Sequence, residues 1–144
     1  MSAINLFSPE QQKQIVAAIQ EAEGHTSGEV RVHLEAKCAE SNVLDRAVQV
    51  FYQLEMDKTA QQNGVLFYLA TEDHKFAILG DKGINQVVPK DFWESTKELM
   101  RTHFRRGQFT EGLCQGIEQA GQQLKQYFPR ANDDKNELSD ELSF

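Results

Sequence analysis

The spacing of apolar positions changes several times along the chain, and each change marks an element. Ile15, Ala18, Ile19 and Ala22 recur three and four apart, which lines one face of a helix. Ser8-Pro9-Glu10-Gln11 starts that helix. The serine can cap, the proline suits the first helical position, and Gln11 stands where a capping box needs it. Gly24 is expected to stop the helix. From Val30 the period drops to two. Val30, Val32 and Leu34 alternate with Arg31, His33 and Glu35, predicting a strand with one wetter face. Asn42 then opens a second helix with Leu44, Ala47, Val48, Phe51 and Leu54 on its apolar side, ending near Asp57-Lys58-Thr59.

The run Val65 to Ala70 is apolar without a break, as in a strand covered on both faces. Thr71 to His74 make a polar turn, and Lys75 to Leu79 return as a third strand, antiparallel to the second. After a short irregular stretch, Pro89 opens a helix carrying Phe92, Trp93, Leu99, Met100 and Phe104, closed by Gly107. Thr110 begins the last helix, with Leu113, Ile117, Ala120, Leu124 and Phe128 inward and Pro129 at its end. The order is α-β-α-β-β-α-α. A helix joins the first two strands, so they should run parallel with a right-handed crossover. The expected fold is α/β: a small mixed sheet of three to four strands sandwiched by helices.

Length fits this picture. With 144 residues, one domain is the default, and the core needs no metal or disulfide staples. Residues 1–129 are expected to form the domain. Residues 130–144 hold five acids against two bases, with Leu138, Leu142 and Phe144 as the large apolar side chains, and are expected to form a largely mobile acidic tail. Whether those three side chains dock is left open. The net charge of −7 argues against nucleic acid or an anionic membrane surface as a partner, since both select basic patches. No apolar stretch approaches the ~18 residues of a membrane span, and the first residues do not read as a signal peptide. Two cysteines, Cys38 and Cys114, fit a reducing compartment better than a disulfide framework. The expected location is cytoplasmic.

Strand directions then locate a candidate site. The first two strands start at the same sheet edge, the third ends there, and the second helix returns there. Ser27-Gly28-Glu29, Asn63-Gly64 and Gly80-Asp81-Lys82-Gly83 should therefore meet, with Asp57 nearby. Clustered carboxylates and an amide oxygen suit a hard cation, calcium or magnesium, and Glu29, Asp57 and Asp81 are the expected ligands. The usual crevice of an open α/β sheet lies at the other edge, at Ala36-Lys37-Cys38 and Thr71-Glu72-Asp73. The glycines, acids and amides favour the first edge.

Other patterns carry less. Gly80-Asp81-Lys82-Gly83 has the GxxG form of an RNA-binding loop, but it follows a strand instead of joining two helices. Gly112, Gly116 and Gly121 each cost a helix roughly 1 kcal/mol against alanine, so close packing should offset them. The four histidines share no metal-ligand spacing and are each expected to face solvent.

Taken in order, several segments resemble the TPM domain family. They are Glu23 to Val32, Asn63-Gly64-Val65-Leu66, Lys75 to Ile84, and Phe104-Arg105-Arg106-Gly107-Gln108-Phe109 with Gly112. The family takes its name from a thylakoid lumen protein, a photosystem II repair protein and a nematode receptor regulator. The resemblance implies an α/β/α sandwich. It also implies one of two roles: acid phosphatase activity with divalent metal binding, or assembly, repair and regulation of membrane complexes. Departures from the family pattern fall at the candidate edge. Gln62 stands where an acid usually precedes Asn-Gly, Asn85 replaces another acid, and Asp81 is gained. The chain resembles a short cytoplasmic branch.

Two functions follow. The first is a non-catalytic binding or regulatory module that engages a protein partner through the tail or the sheet edge. The alternative is a divalent-metal-dependent phosphatase-like hydrolase, with Lys82 or Arg31 beside the phosphate.

Overall fold

The computed structural model describes residues 7–130 and 137–144. Its frame is three strands: β1 (Glu29–Glu35), β2 (Gly64–Ala70) and β3 (Lys75–Gly80), in the order β1-β2-β3. β1 and β2 are parallel, with Glu29 opposite Gly64, and β2 and β3 are antiparallel, with Val65 opposite Gly80. All seven residues of β2 are buried, as its unbroken apolar run requires.

One face of the sheet packs on α1 (Pro9–His25) and α5 (Phe109–Leu124). Ile15 and Ile19 meet Val30, Val32, Val65, Phe67, Leu113 and Ile117 there. Ser8 caps α1 in the full reciprocal box with Gln11. α4 (Glu94–Arg105) packs on α5. The helix glycines earn their places by closeness. A β-carbon at Gly121 would lie 2.9 Å from the Ala22 backbone, and one at Gly116 would strike the Met100 side chain.

The opposite face carries α2 (Val43–Gln53) and the 3-10 turn Met56–Lys58, with Ala47, Val50, Phe51 and Met56 over Leu66, Tyr68 and Ala77. The fold is therefore the expected α/β sandwich with a three-stranded mixed sheet.

Several local expectations are corrected. Leu44 and Val48 of α2 are exposed, and Val50 is buried in their stead. The helix rolls so that Ala47, Val50 and Phe51 meet the sheet. α1 runs through Gly24 to His25. Pro89 opens only turns, and the helix itself starts at Glu94. The irregular stretch after β3 contains a one-turn helix, α3 (Lys82–Asn85), capped by Asp81. The face of β1 expected to be wet is covered: His33 is buried, because the chain end lies beside it.

That chain end is residues 137–144. Ser143 makes a parallel bridge to His33 at the free edge of β1. Its N–H donates to the Val32 carbonyl at 2.9 Å, and its carbonyl accepts the Leu34 N–H at 2.8 Å. Leu138 packs into the α2-side core, and Leu142 into the α1-side core. Residues 131–136 of the segment expected to be a mobile tail lie outside the described residues.

Gly83 is the tightest fit. A β-carbon there would lie 2.3 Å from the Gln61 carbonyl oxygen, which the backbone must move to relieve. Gly83→Ala should destabilise the fold by about 1–3 kcal/mol, the usual cost of overpacking. Urea unfolding checks this; an unchanged midpoint would show that the loop yields freely.

Candidate functional site

The three turns meet as the strand directions require. The Glu29 N–H donates to the Asn63 carbonyl (3.2 Å), the Asp81 N–H to the Gly64 carbonyl (2.9 Å), and the Gly83 N–H to the Gln62 carbonyl (2.9 Å). Gln62 itself has a left-handed backbone, with φ of 52°. Ser27 is tied in by the Asn63 side-chain amide, which donates to its carbonyl at 3.1 Å. Asn63 is thus spent holding two turns together. Gly80 accepts from the Asn85 amide at 3.0 Å.

Glu29, Gly64 and Asp81 form one row across the three strands, so they share the α2-side face. The two acids flank a residue with no side chain. The space above Gly64 holds the Met56 carbonyl oxygen, 3.2 Å from where a β-carbon would stand, and Leu138 of the chain end.

Both acids are buried, and each is half satisfied. Glu29 Oε1 accepts the backbone N–H groups of Glu137 and Leu138, while Oε2 is buried with no partner among the described residues. Asp81 Oδ1 accepts the Lys82 N–H at 2.7 Å, while Oδ2 is likewise buried with no partner among the described residues. A buried polar atom without a partner is costly, so two in one row call for an explanation. Burial raises the pKa of Glu29 above the ordinary range, and the two N–H groups from the chain end oppose that rise.

Other expected members are less central. Asp57 lies on the 3-10 turn beside Met56, at the same edge, and is half-buried. Among the described residues, no three His, Cys, Asp or Glu side chains are grouped to hold a metal ion, Glu29, Asp57 and Asp81 included. Lys82 is exposed. Gly28 packs on Leu124. The opposite edge is closed by its own bonds: the Cys38 N–H donates to Asp73 at 2.7 Å, and the Glu72 N–H to the Ala36 carbonyl at 2.8 Å.

Three groups were not visible beforehand. Glu23 is buried at the end of α1, and its Oε2 accepts the Val30 N–H at 3.1 Å. Its spacing of four from Ile19 was the available signal, because it continues the buried stripe. The Met56 carbonyl is a backbone feature with no sequence mark. The third is a hydrogen-bonded series, Ser143 Oγ to His33 Nδ1 (2.8 Å) and His33 Nε2 to Glu35 (2.9 Å). It has the connectivity of a hydrolase triad. However, the neighbouring Ser143 and Leu34 N–H groups are both spent in the ladder, so neither can serve an oxyanion. Glu35 also binds Arg46 and the Tyr68 hydroxyl. Burial works to raise its pKa, but the bonds from Arg46, Tyr68 and His33 outweigh it and hold Glu35 at about 2. The series pins the chain end to β1. The expectation that every histidine faces solvent fails at His33, which takes its partners from a segment 110 residues away.

The chain is similar to known proteins in sequence and in fold. The sequence model of the TPM domain matches residues 2–123. The chain belongs to the TPM domain family. BA42 protein from the psychrophilic bacterium Bizionia argentinensis, solved by NMR, is 51% identical, with a TM-score of 0.90 over 95% of this chain and 94% of that one. The N-terminal domain of cg2496 protein from Corynebacterium glutamicum has a TM-score of 0.64 at 10% identity, over 92% of this chain and 77% of that one, which shows a shared fold. No curated protein matches the sequence. Among the described residues, no helix of this TPM domain is long and apolar enough to cross a membrane.

Glu23 supplies a test of the buried acids. Burial first, then a hydrogen bond with Asp140, push its pKa from 4.5 up to about 9, against the lowering effect of the Val30 N–H. Between those values the unfolded chain has lost a proton that the folded chain keeps. Stability therefore falls as pH rises through that window. Glu23→Gln keeps an acceptor for Val30 and a donor for Asp140. It should raise stability by about 1–3 kcal/mol at pH 8, the scale of an ill-satisfied buried group, and the gain should shrink toward pH 4. Thermal melts of both proteins across pH 4–9 measure this. Parallel profiles would mean that Glu23 holds no proton of this kind.

Proposed function

We propose that this TPM domain is a non-catalytic binding module whose sheet edge takes a divalent cation, calcium or magnesium. The observation behind the reading is the pair of buried, partnerless oxygens, Glu29 Oε2 and Asp81 Oδ2, on either side of Gly64. With the Met56 carbonyl they make three oxygen donors around Gly64, where the Met56 and Leu138 side chains also approach. Hard cations select oxygen sets of this kind and complete their shell with water. The cation offsets the cost of burying both carboxyls. Asp57, one residue from Met56, is a candidate for the outer part of the same site. A bound cation would brace the turns before β2 and after β3, giving a partner protein a fixed edge to meet. The family membership supports a shared fold and leaves the role to the residues.

A second reading has one observation in its favour. Arg31 lies on the same face of β1 as Glu29, and its Nε is buried without a partner among the described residues. A guanidinium with a spare donor near a cation is what a phosphate monoester site requires. In this reading the domain is a metal-dependent phosphatase-like hydrolase, with Arg31 or Lys82 on the phosphate.

Calcium and magnesium titrations followed by amide NMR separate the outcomes. The binding reading expects saturable shifts at Glu29, Met56, Gly64 and Asp81. Glu29→Gln and Asp81→Asn should each weaken affinity at least about tenfold, a loss near 1.4 kcal/mol; Asn can still cap α3. No shift at millimolar metal would remove the cation. Hydrolysis of an aryl phosphate that Asp81→Asn abolishes would favour the phosphatase over the module.

A further inference from the structure

A hollow lies where the corner between α4 and α5 meets the sheet, at the other end of β2 from Gly64. Leu69 and Phe76, opposite each other on β2 and β3, line it together with Phe104 and Phe109. Leu69 is buried, and the three rings are half-buried. Phe104 meets Phe76 edge to face, with ring centroids 5.1 Å apart, and lies tilted on Phe109 at 5.7 Å. Gly107 brings these rings together. Its left-handed backbone, with φ of 74°, ends α4 and reverses the chain between Phe104 and Phe109. Gly112 completes the approach, because a β-carbon there would lie 2.6 Å from the Phe104 ring.

The rim is cationic. Arg101 and Arg105 lie one turn apart on α4, on the same face, and His74 belongs to the turn before β3. Arg101 sits over the Phe76 ring, with its guanidinium carbon 5.7 Å from the centroid, and is paired with Glu98. Arg105 is exposed, and its side chain has no ion pair or hydrogen bond among the described residues. Among the described residues no Asp or Glu lines the hollow, although the chain carries a net charge of −7.

Apolar walls with a few polar groups at the rim are the usual make-up of a small-molecule site. The cavity of about 270 Å³ falls below the roughly 300–1,000 Å³ of drug-sized pockets, so it admits one ring and not two. Phenyl walls favour a flat ring, which they meet edge to face or offset. A guanidinium fork matches a carboxylate with two parallel bonds. Because Glu98 engages Arg101, one fork is free, which suits a single carboxylate better than a doubly charged phosphate.

We propose that this hollow binds a small aromatic carboxylate, one ring bearing one acid group, with the ring among Phe76, Phe104 and Phe109 and the carboxylate on Arg105. Arg101 and His74 add donors at the rim. The site is independent of the cation reading. Leu69 and Phe76 pack on the α1-side core, whereas Glu29, Gly64 and Asp81 share the α2-side face.

The test titrates the full chain with phenylacetate, in chelator, and follows it by amide NMR. Saturable shifts are expected at Leu69, His74, Phe76 and Arg105 at millimolar ligand. Phenylacetamide keeps the shape without the charge and should bind about tenfold more weakly or worse. Acetate keeps the charge without the ring and should not saturate. Arg105→Gln should weaken phenylacetate binding about tenfold and leave the melting temperature unchanged, since Arg105 is exposed and unpaired among the described residues. Equal binding of the acid and the amide, saturation by acetate, or shifts that avoid this corner would overturn the proposal. So would an Arg105→Gln protein that melts like the parent and binds phenylacetate as tightly.

Discussion

β2 is buried along its whole length and on both faces, and the rest of the structure answers to that. A buried backbone must pair its N–H and C=O groups, and a strand can do so only with strands on either side. β1 and β3 are those partners. Covering both faces takes helices above and below, α1 and α5 on one side and α2 on the other. Because β1 is parallel to β2 and β3 antiparallel, two strand starts and one strand end fall at the same edge. The candidate site is a consequence of burying one strand.

The same geometry explains the electrostatics. Row-mates across a sheet share a face, so Glu29 and Asp81 were placed together once Gly64 was central. Gly64 matters for what it lacks: its bare backbone leaves the space that the Met56 carbonyl and Leu138 approach. Carboxyl oxygens in such a place need protons, N–H groups or cations. Glu29 Oε1 has found N–H groups from the chain end, and Glu23 has found Val30 and Asp140. The remaining two oxygens have found no partner among the described residues. That difference between neighbouring acids ties the site reading to particular atoms instead of to acidity in general.

Most of the fold was legible because it rests on local period. The capping box at Ser8, the alternation of Val30, Val32 and Leu34, and the continuous run to Ala70 each name their element. The meeting of Glu29, Gly64 and Asp81 followed from connectivity. What escaped depends on contacts distant in sequence. The roll of α2 is set by which residues the sheet accepts, so Leu44 and Val48 looked equivalent to Val50. His33 looked like the polar half of an alternating strand, because nothing near it in sequence reports Ser143. Glu23 continued the buried stripe of α1, but an acid on such a stripe reads as its end. At Pro89 a good opening residue was followed by turns in which Phe92 and Trp93 pack before the helix begins.

The edge of β1 shows how one constraint creates the next. A three-stranded sheet has two edges, and an open edge invites pairing with other chains. β3 has α2 packed against it; β1 is covered by the end of its own chain. That cover is held by two ladder bonds, by His33 and by two leucines. Glu29 strengthens the cover, because its Oε1 accepts the N–H groups of Glu137 and Leu138. A buried carboxylate that needs donors and a chain end that needs acceptors satisfy each other at the edge.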